Sequence, residues 1–207
     1  MEPRVIKVVP TDEYFSFSWR ITNRCNYDCM YCPTKWHDTT SKHYSLDELQ
    51  KIWLNVYEKT KHKNLRYKIG FTGGEVTGNK NFLPFISWLR NNYNDKIFKM
   101  LVTTNGSANF KYYRSLFDYV DNISFSFHSE HANEKNFFDM IIKLKNEIDN
   151  SKFVHVNIMN ESWNKDRIPM YVRLLQSNNI SHEIDEIDYS MQTRTFPIFK
   201  GKLNYEI

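Results

Sequence analysis

Every cysteine of the 207-residue chain stands in one short stretch, "RCNYDCMYCP" from Arg24 to Pro33, as Cys25, Cys29 and Cys32. Thiolates spaced three and two residues apart let one loop wrap one metal centre. Three of them suit a [4Fe-4S] cube, because they bind three irons and leave the fourth open to an outside ligand. Other readings compete. On a helix the three would lie at i, i+4 and i+7 and could be small buried apolar groups; Asn23, Asn26, Asp28 and the following Pro33 oppose a helix there. A structural zinc site would need a fourth ligand such as His37 or His43. A redox-sensing thiol needs one or two cysteines and leaves the third unexplained.

Three further stretches carry polar groups beside glycine or histidine. "GGE" is Gly73, Gly74 and Glu75; "TTNG" runs from Thr103 to Gly106 and contains Asn105; "SFHSE" contains Ser126 and His128. Taken singly, each has a plain reading: a turn after a strand, a turn residue before a glycine, a satisfied rim histidine.

The elements between these stretches decide whether they meet. Short apolar or β-branched runs predict strands over Val5–Val9, Phe15–Ile21, Tyr67–Phe71, Ile97–Thr103, Asn122–Phe127, Phe153–Ile158 and Ser181–Ile187. Helical periodicity fills most gaps. In "YSLDELQKIWLNVYEK", Ser45 and Glu48 have capping-box spacing, and Leu49, Ile52, Trp53 and Val56 share a face. Further helices are expected near 81–92, 110–117, 133–148 and 166–176, the last with Pro169 in its first turn. Such alternation implies right-handed βαβ units and a parallel sheet. The fold class is therefore α/β, an open, partial barrel of about six βα units. In such sheets functional groups gather at the carboxyl ends of the strands, which is where all four stretches fall.

Composition sets the outer bounds. Hydrophobic residues at 41% and aromatics at 16% supply a core and argue against disorder. The length suits one domain over residues 1–207, with a core over about 15–187 and a short tail over 188–207. The formal charge of +4, from 28 basic and 24 acidic residues, is spread along the chain and gives no strong nucleic-acid signal. No apolar run reaches membrane-spanning length, and "MEPRVIKVVP" lacks the centre of a signal peptide. The expectation is a cytoplasmic protein with no membrane contact, whose clustered, odd-numbered cysteines serve chemistry and not a disulfide framework.

"CNYDCMYC" resembles the CxxxCxxC signature of the radical S-adenosylmethionine (SAM) enzymes, with Tyr31 as the aromatic before the last cysteine. "FTGGEVT", some 40 residues on, resembles that family's GGE motif. With "TTNG" and the βα alternation, the resemblance covers about Phe15 to Ile187. It implies one [4Fe-4S] cluster held by Cys25, Cys29 and Cys32, with SAM chelating the open iron. Reductive cleavage would then give methionine and a 5′-deoxyadenosyl radical that takes hydrogen from an organic substrate. It implies that Tyr31 lies near the adenine, that Gly73, Gly74 and Glu75 receive the SAM amino group, and that Asn105, Ser126 and His128 face SAM or substrate. Partners would be a small-molecule or peptide substrate and a reductant such as flavodoxin or ferredoxin, in an oxygen-sensitive reaction.

Departures narrow the reading. Where the family often shows GxIxGxxE, this chain has "VNIMNESW", with neither glycine and no matching Glu. No fourth cysteine is present for an auxiliary-cluster extension or for radical RNA methyl transfer. Small members of the family include glycyl-radical activases and 7-carboxy-7-deazaguanine synthase, whose metal-contacting Thr resembles Thr34. An activase acting on a partner protein is one alternative, and a non-catalytic zinc or iron-sulfur module is another.

Overall fold

The protein is described by a computed structural model over residues 5–10, 14–33 and 38–187. Thr34, His37 and the 188–207 tail, all named above, lie outside the described residues. Seven strands form one sheet in chain order: β1 (Val5–Pro10), β2 (Tyr14–Thr22), β3 (Arg66–Gly73), β4 (Ile97–Thr104), β5 (Asn122–Phe127), β6 (Phe153–Asn160) and β7 (Ser181–Glu186). From β2 onward all neighbours pair in parallel, whereas β1 runs antiparallel to β2 and extends the sheet as a hairpin arm. Helices α1 (Leu46–Thr60), α2 (Phe82–Tyr93), α3 (Phe110–Leu116), α4 (Glu134–Glu147) and α5 (Ile168–Ser177) make the five crossovers.

Residue alternation explains why helices and site take opposite sides. Phe17, Trp19 and Ile21 on β2, Tyr67, Ile69 and Phe71 on β3, and Ile123, Phe125 and Phe127 on β5 are all buried. The intervening positions are polar or small and partly open: Ser16, Ser18 and Arg20 on β2, then Lys68, Gly70 and Thr72 on β3. A parallel sheet covered on both faces would read as continuous apolar runs. Here one face is the core and the other is left for ligand.

The helices carry their own start signals. Ser45 Oγ accepts from the Glu48 amide at 3.2 Å while Glu48 Oε2 accepts from the Ser45 amide at 2.7 Å, the reciprocal capping box. Leu49 and Trp53 are then fully buried. Asn109 and Asn133 cap α3 and α4, each through Oδ1 at 3.0 Å from an amide three residues on. Much of the aromatic content is core. Trp53 meets Tyr67 and Tyr93 edge-on at 5.1 and 5.3 Å, and Trp19 meets Phe85 at 5.3 Å. Such pairs contribute about 0.5–1.5 kcal/mol each beyond the area they bury.

Candidate active site

The four stretches emerge from adjacent strands at one end of the sheet: the cysteine loop after β2, Gly73–Glu75 closing β3, Asn105 just past β4, and His128 just past β5. One cavity of about 580 Å³ lies there, lined by Cys25, Cys29 and Cys32 together with Tyr31, Gly73 and Gly74. Asn105, Ser126 and His128 also face it. That volume is within the range of small-molecule sites.

The cysteine loop is anchored along its length. The Gly74 and Glu75 amides donate to the Thr22 and Arg24 carbonyls at 2.8 and 2.9 Å, and the Cys25 amide donates to the Asp38 carbonyl at 2.8 Å. Asn105 Nδ2 donates to Asn26 Oδ1 at 3.0 Å and sits 3.9 Å from Cys25 Sγ. The Met30 amide donates to Glu130 Oε2 at 3.1 Å. The two glycines have a steric reason. A Cβ on Gly74 would stand 2.3 Å from the Arg24 carbonyl oxygen; one on Gly73, whose φ is +152°, would stand 2.2 Å from that of Thr22. Close approach of this turn to the base of the cysteine loop requires glycine at both positions.

Glu75 is buried, it lines a second cavity that Cys25 and Asn26 also border and not the one of about 580 Å³, and its carboxylate is already engaged. Oε1 accepts from the Thr77 amide (2.9 Å), Thr77 Oγ1 (2.7 Å) and Thr104 Oγ1 (2.8 Å), and Oε2 accepts from the Asn105 amide (2.6 Å). The side chain thus joins the end of β3 to the end of β4. Burial raises its pKa, and the hydrogen bonds from Asn105 and Thr77 oppose that rise.

Electrostatics across the site follow from desolvation. None of the three cysteines forms a disulfide. Burial, with Glu130 adding to it, pushes the Cys29 thiol well above its ordinary value, and burial also raises Cys25. Burial and the neighbouring His131 bring His128 down to about 4, so its ring is neutral near pH 7. Its Nδ1 meets the Tyr31 hydroxyl, and the two rings stack at 5.9 Å. Burial raises the Tyr31 phenol as well, which leaves it a proton donor.

Sequence reasoning missed several groups. Arg20 and Met159 line the cavity, as do Asp185 and Glu186 on the edge strand β7. Strand parity points to Arg20, which shares the face of Ser16 and Ser18, but edge strand β7 has no apolar face to reveal parity. Behind the cavity, Glu161 is buried, accepts from Ser129 Oγ at Oε2, and leaves Oε1 without a partner. Burial lifts its pKa to about 7. Trp163 Nε1 donates to the same Ser129 hydroxyl at 2.9 Å. No shift of the GxIxGxxE pattern would have marked Glu161; only the fold shows its burial.

The donor set fits an iron-sulfur cluster. Three sulfurs on one loop face one cavity, and no other cysteine exists to close a four-thiolate site. His43, raised above as a zinc ligand, lines a second cavity that only Cys25 of the three cysteines borders, and it does not line the cavity where all three meet. A different mixed set does occur, in which ligating atoms of Cys29, Glu130 and His131 lie within 4.8 Å of one another. Among the described residues no helix is long and apolar enough to cross a membrane.

The family model for the radical SAM superfamily matches residues 19–171. No curated protein matches the sequence. Among solved structures, BtrN in complex with AdoMet and 2-DOIA is similar at TM-score 0.50 and 16% identity, over 67% of this chain and 54% of that one. Archaeal TYW1 aligns at TM-score 0.46 and 13% identity, over 82% and 64% respectively. The chain spans about half the length of the BtrN structure, and the likeness to it is one of fold.

Proposed function

The chain belongs to the radical SAM superfamily, which uses a [4Fe-4S] cluster and SAM, and from that premise we propose that it is an enzyme generating a substrate radical in this cavity. The observation that carries the reading is the meeting of all three thiols with Gly73 and Gly74 on the wall of one cavity. When bound, the two groups supply reductive cleavage of SAM to methionine and a 5′-deoxyadenosyl radical, which takes a hydrogen atom from an organic substrate.

The chain's own part is to bind, orient and shield. Cys25, Cys29 and Cys32 hold three irons as thiolates, so loading displaces protons from thiols that burial keeps protonated. Gly73 and Gly74 let the backbone approach the SAM amino group. Glu75 serves through its backbone and through the Thr104 and Asn105 bonds that fix the turn. Neutral His128, oriented by Tyr31, offers its remaining ring nitrogen to SAM or substrate, and Ser126 lies beside it on the same strand face. Asn105, tied to Asn26, spans from the β4 end to the cysteine loop.

The substrate is a small molecule or peptide reached from the polar face of the sheet. The reductant is a flavodoxin or ferredoxin, and a reducing cytoplasm suits thiols that form no disulfide. A second reading rests on the closeness of Cys29, Glu130 and His131: a zinc site without radical chemistry. Anaerobic reconstitution separates the two. The first requires about four iron and four sulfide per chain and one SAM bound on equilibrium dialysis; one zinc, no sulfide and no SAM binding overturns it.

A further inference from the structure

Glu130 lies just past β5, in the loop that leads to α4, and reaches across to the cysteine loop 100 residues away. Its Oε2 accepts the Met30 amide at 3.1 Å, immediately after Cys29, and its carboxylate lies within 4.8 Å of the Cys29 sulfur. The side chain is only 10% exposed, so solvent and salt screen its charge weakly. His131 Nε2 stands 3.7 Å from the other oxygen, and its ring stacks on Tyr27 at 5.0 Å. Neither the superfamily motifs nor the role given to the cysteines calls for a carboxylate here.

We propose that Glu130 is a positioning residue for the cluster site: it holds the Cys29 segment through the Met30 amide and sets the reduction potential of the bound cluster lower than the thiolates alone would. The inference rests on the radical SAM reading above. Two effects of one carboxylate share a sign. Reduction adds one electron to the cluster and increases its negative charge, and a fixed negative charge a few ångströms from a ligand sulfur opposes that addition. The Met30 amide is also engaged by Glu130, whereas hydrogen bonds from amides to cluster sulfurs raise potentials. The device favours a cluster that is a strong reductant once reduced, which is what splitting a sulfonium bond demands.

The test compares the reconstituted full chain with Glu130→Gln and Glu130→Asp by redox titration followed by electron paramagnetic resonance. Iron release to a chelator and thermal melting of the metal-free proteins are read alongside. Gln keeps the acceptor for Met30 and removes the charge, so it is expected to hold full iron with a midpoint moved to more positive potential. Asp keeps the charge but withdraws it by one methylene, giving a smaller positive shift. Glu130→Ala, which loses both functions, is expected to release iron about tenfold faster. A loaded Gln or Asp variant with the wild-type midpoint, or one shifted negative, overturns the proposal. So does a Gln variant that melts normally yet takes up no iron. A wild-type chain that forms no cluster fails the radical SAM reading itself, which is a separate outcome.

Discussion

Cys29 is the most buried of the three thiols at 6% exposed, and its role admits a direct removal test. Cys29→Ala leaves two sulfur ligands, and the expected result is loss of the brown cluster absorbance and of bound iron with little change in the metal-free melting profile. Glu161 gives a test that needs no metal. Its folded pKa of about 7 lies above the ordinary 4.5, so the folded chain holds that proton more tightly than the unfolded chain. The stability linked to it is whole below pH 4.5 and is lost as pH climbs through about 7. Thermal melts of metal-free protein should show a decline of about 3 kcal/mol across that window. In Glu161→Gln the decline should vanish; a wild-type curve flat from pH 4.5 to 8 contradicts the assignment.

Between elements, the critical contact is the packing of the Gly73–Glu75 turn under the start of the cysteine loop. Gly74→Ala puts a methyl against the Arg24 carbonyl, backbone that cannot rotate away. The expected cost is about 1–3 kcal/mol by denaturant unfolding, accompanied by impaired iron loading. Glu75→Gln tests the other side of the same turn. An amide nitrogen facing the Asn105 N–H leaves that donor unpaired, for about 1–3 kcal/mol. If Glu75 instead bound SAM through its carboxylate, the substitution would weaken SAM binding and leave unfolding unchanged.

These contacts also mark how far the sequence could be read. Strand positions were legible where one face of a strand is covered and the other is not, so alternation survives in runs such as Phe17, Trp19 and Ile21. The cysteines and glycines were legible because few residue types can do their work. The orientation of the Glu75 carboxylate was not, since a motif gives a residue's place and not the direction of its side chain. Glu130 and Glu161 were hidden for a related reason: their environments are built by segments 100 and 32 residues distant. The antiparallel pairing of β1 was not legible either, since no glycine stands between β1 and β2 in the sequence.

At the scale of the whole molecule, an open sheet with helices on one side presents one polar face and one cavity-forming rim. Membership of the radical SAM superfamily and the convergence of three thiols on that rim lead to a single central claim, that this chain cleaves SAM reductively. The most direct measurement is product formation by the anaerobically reconstituted, dithionite-reduced chain incubated with SAM, followed by mass spectrometry. The account predicts 5′-deoxyadenosine and methionine from the wild type and neither from Cys29→Ala. A fully loaded, reduced cluster that leaves SAM intact would contradict it.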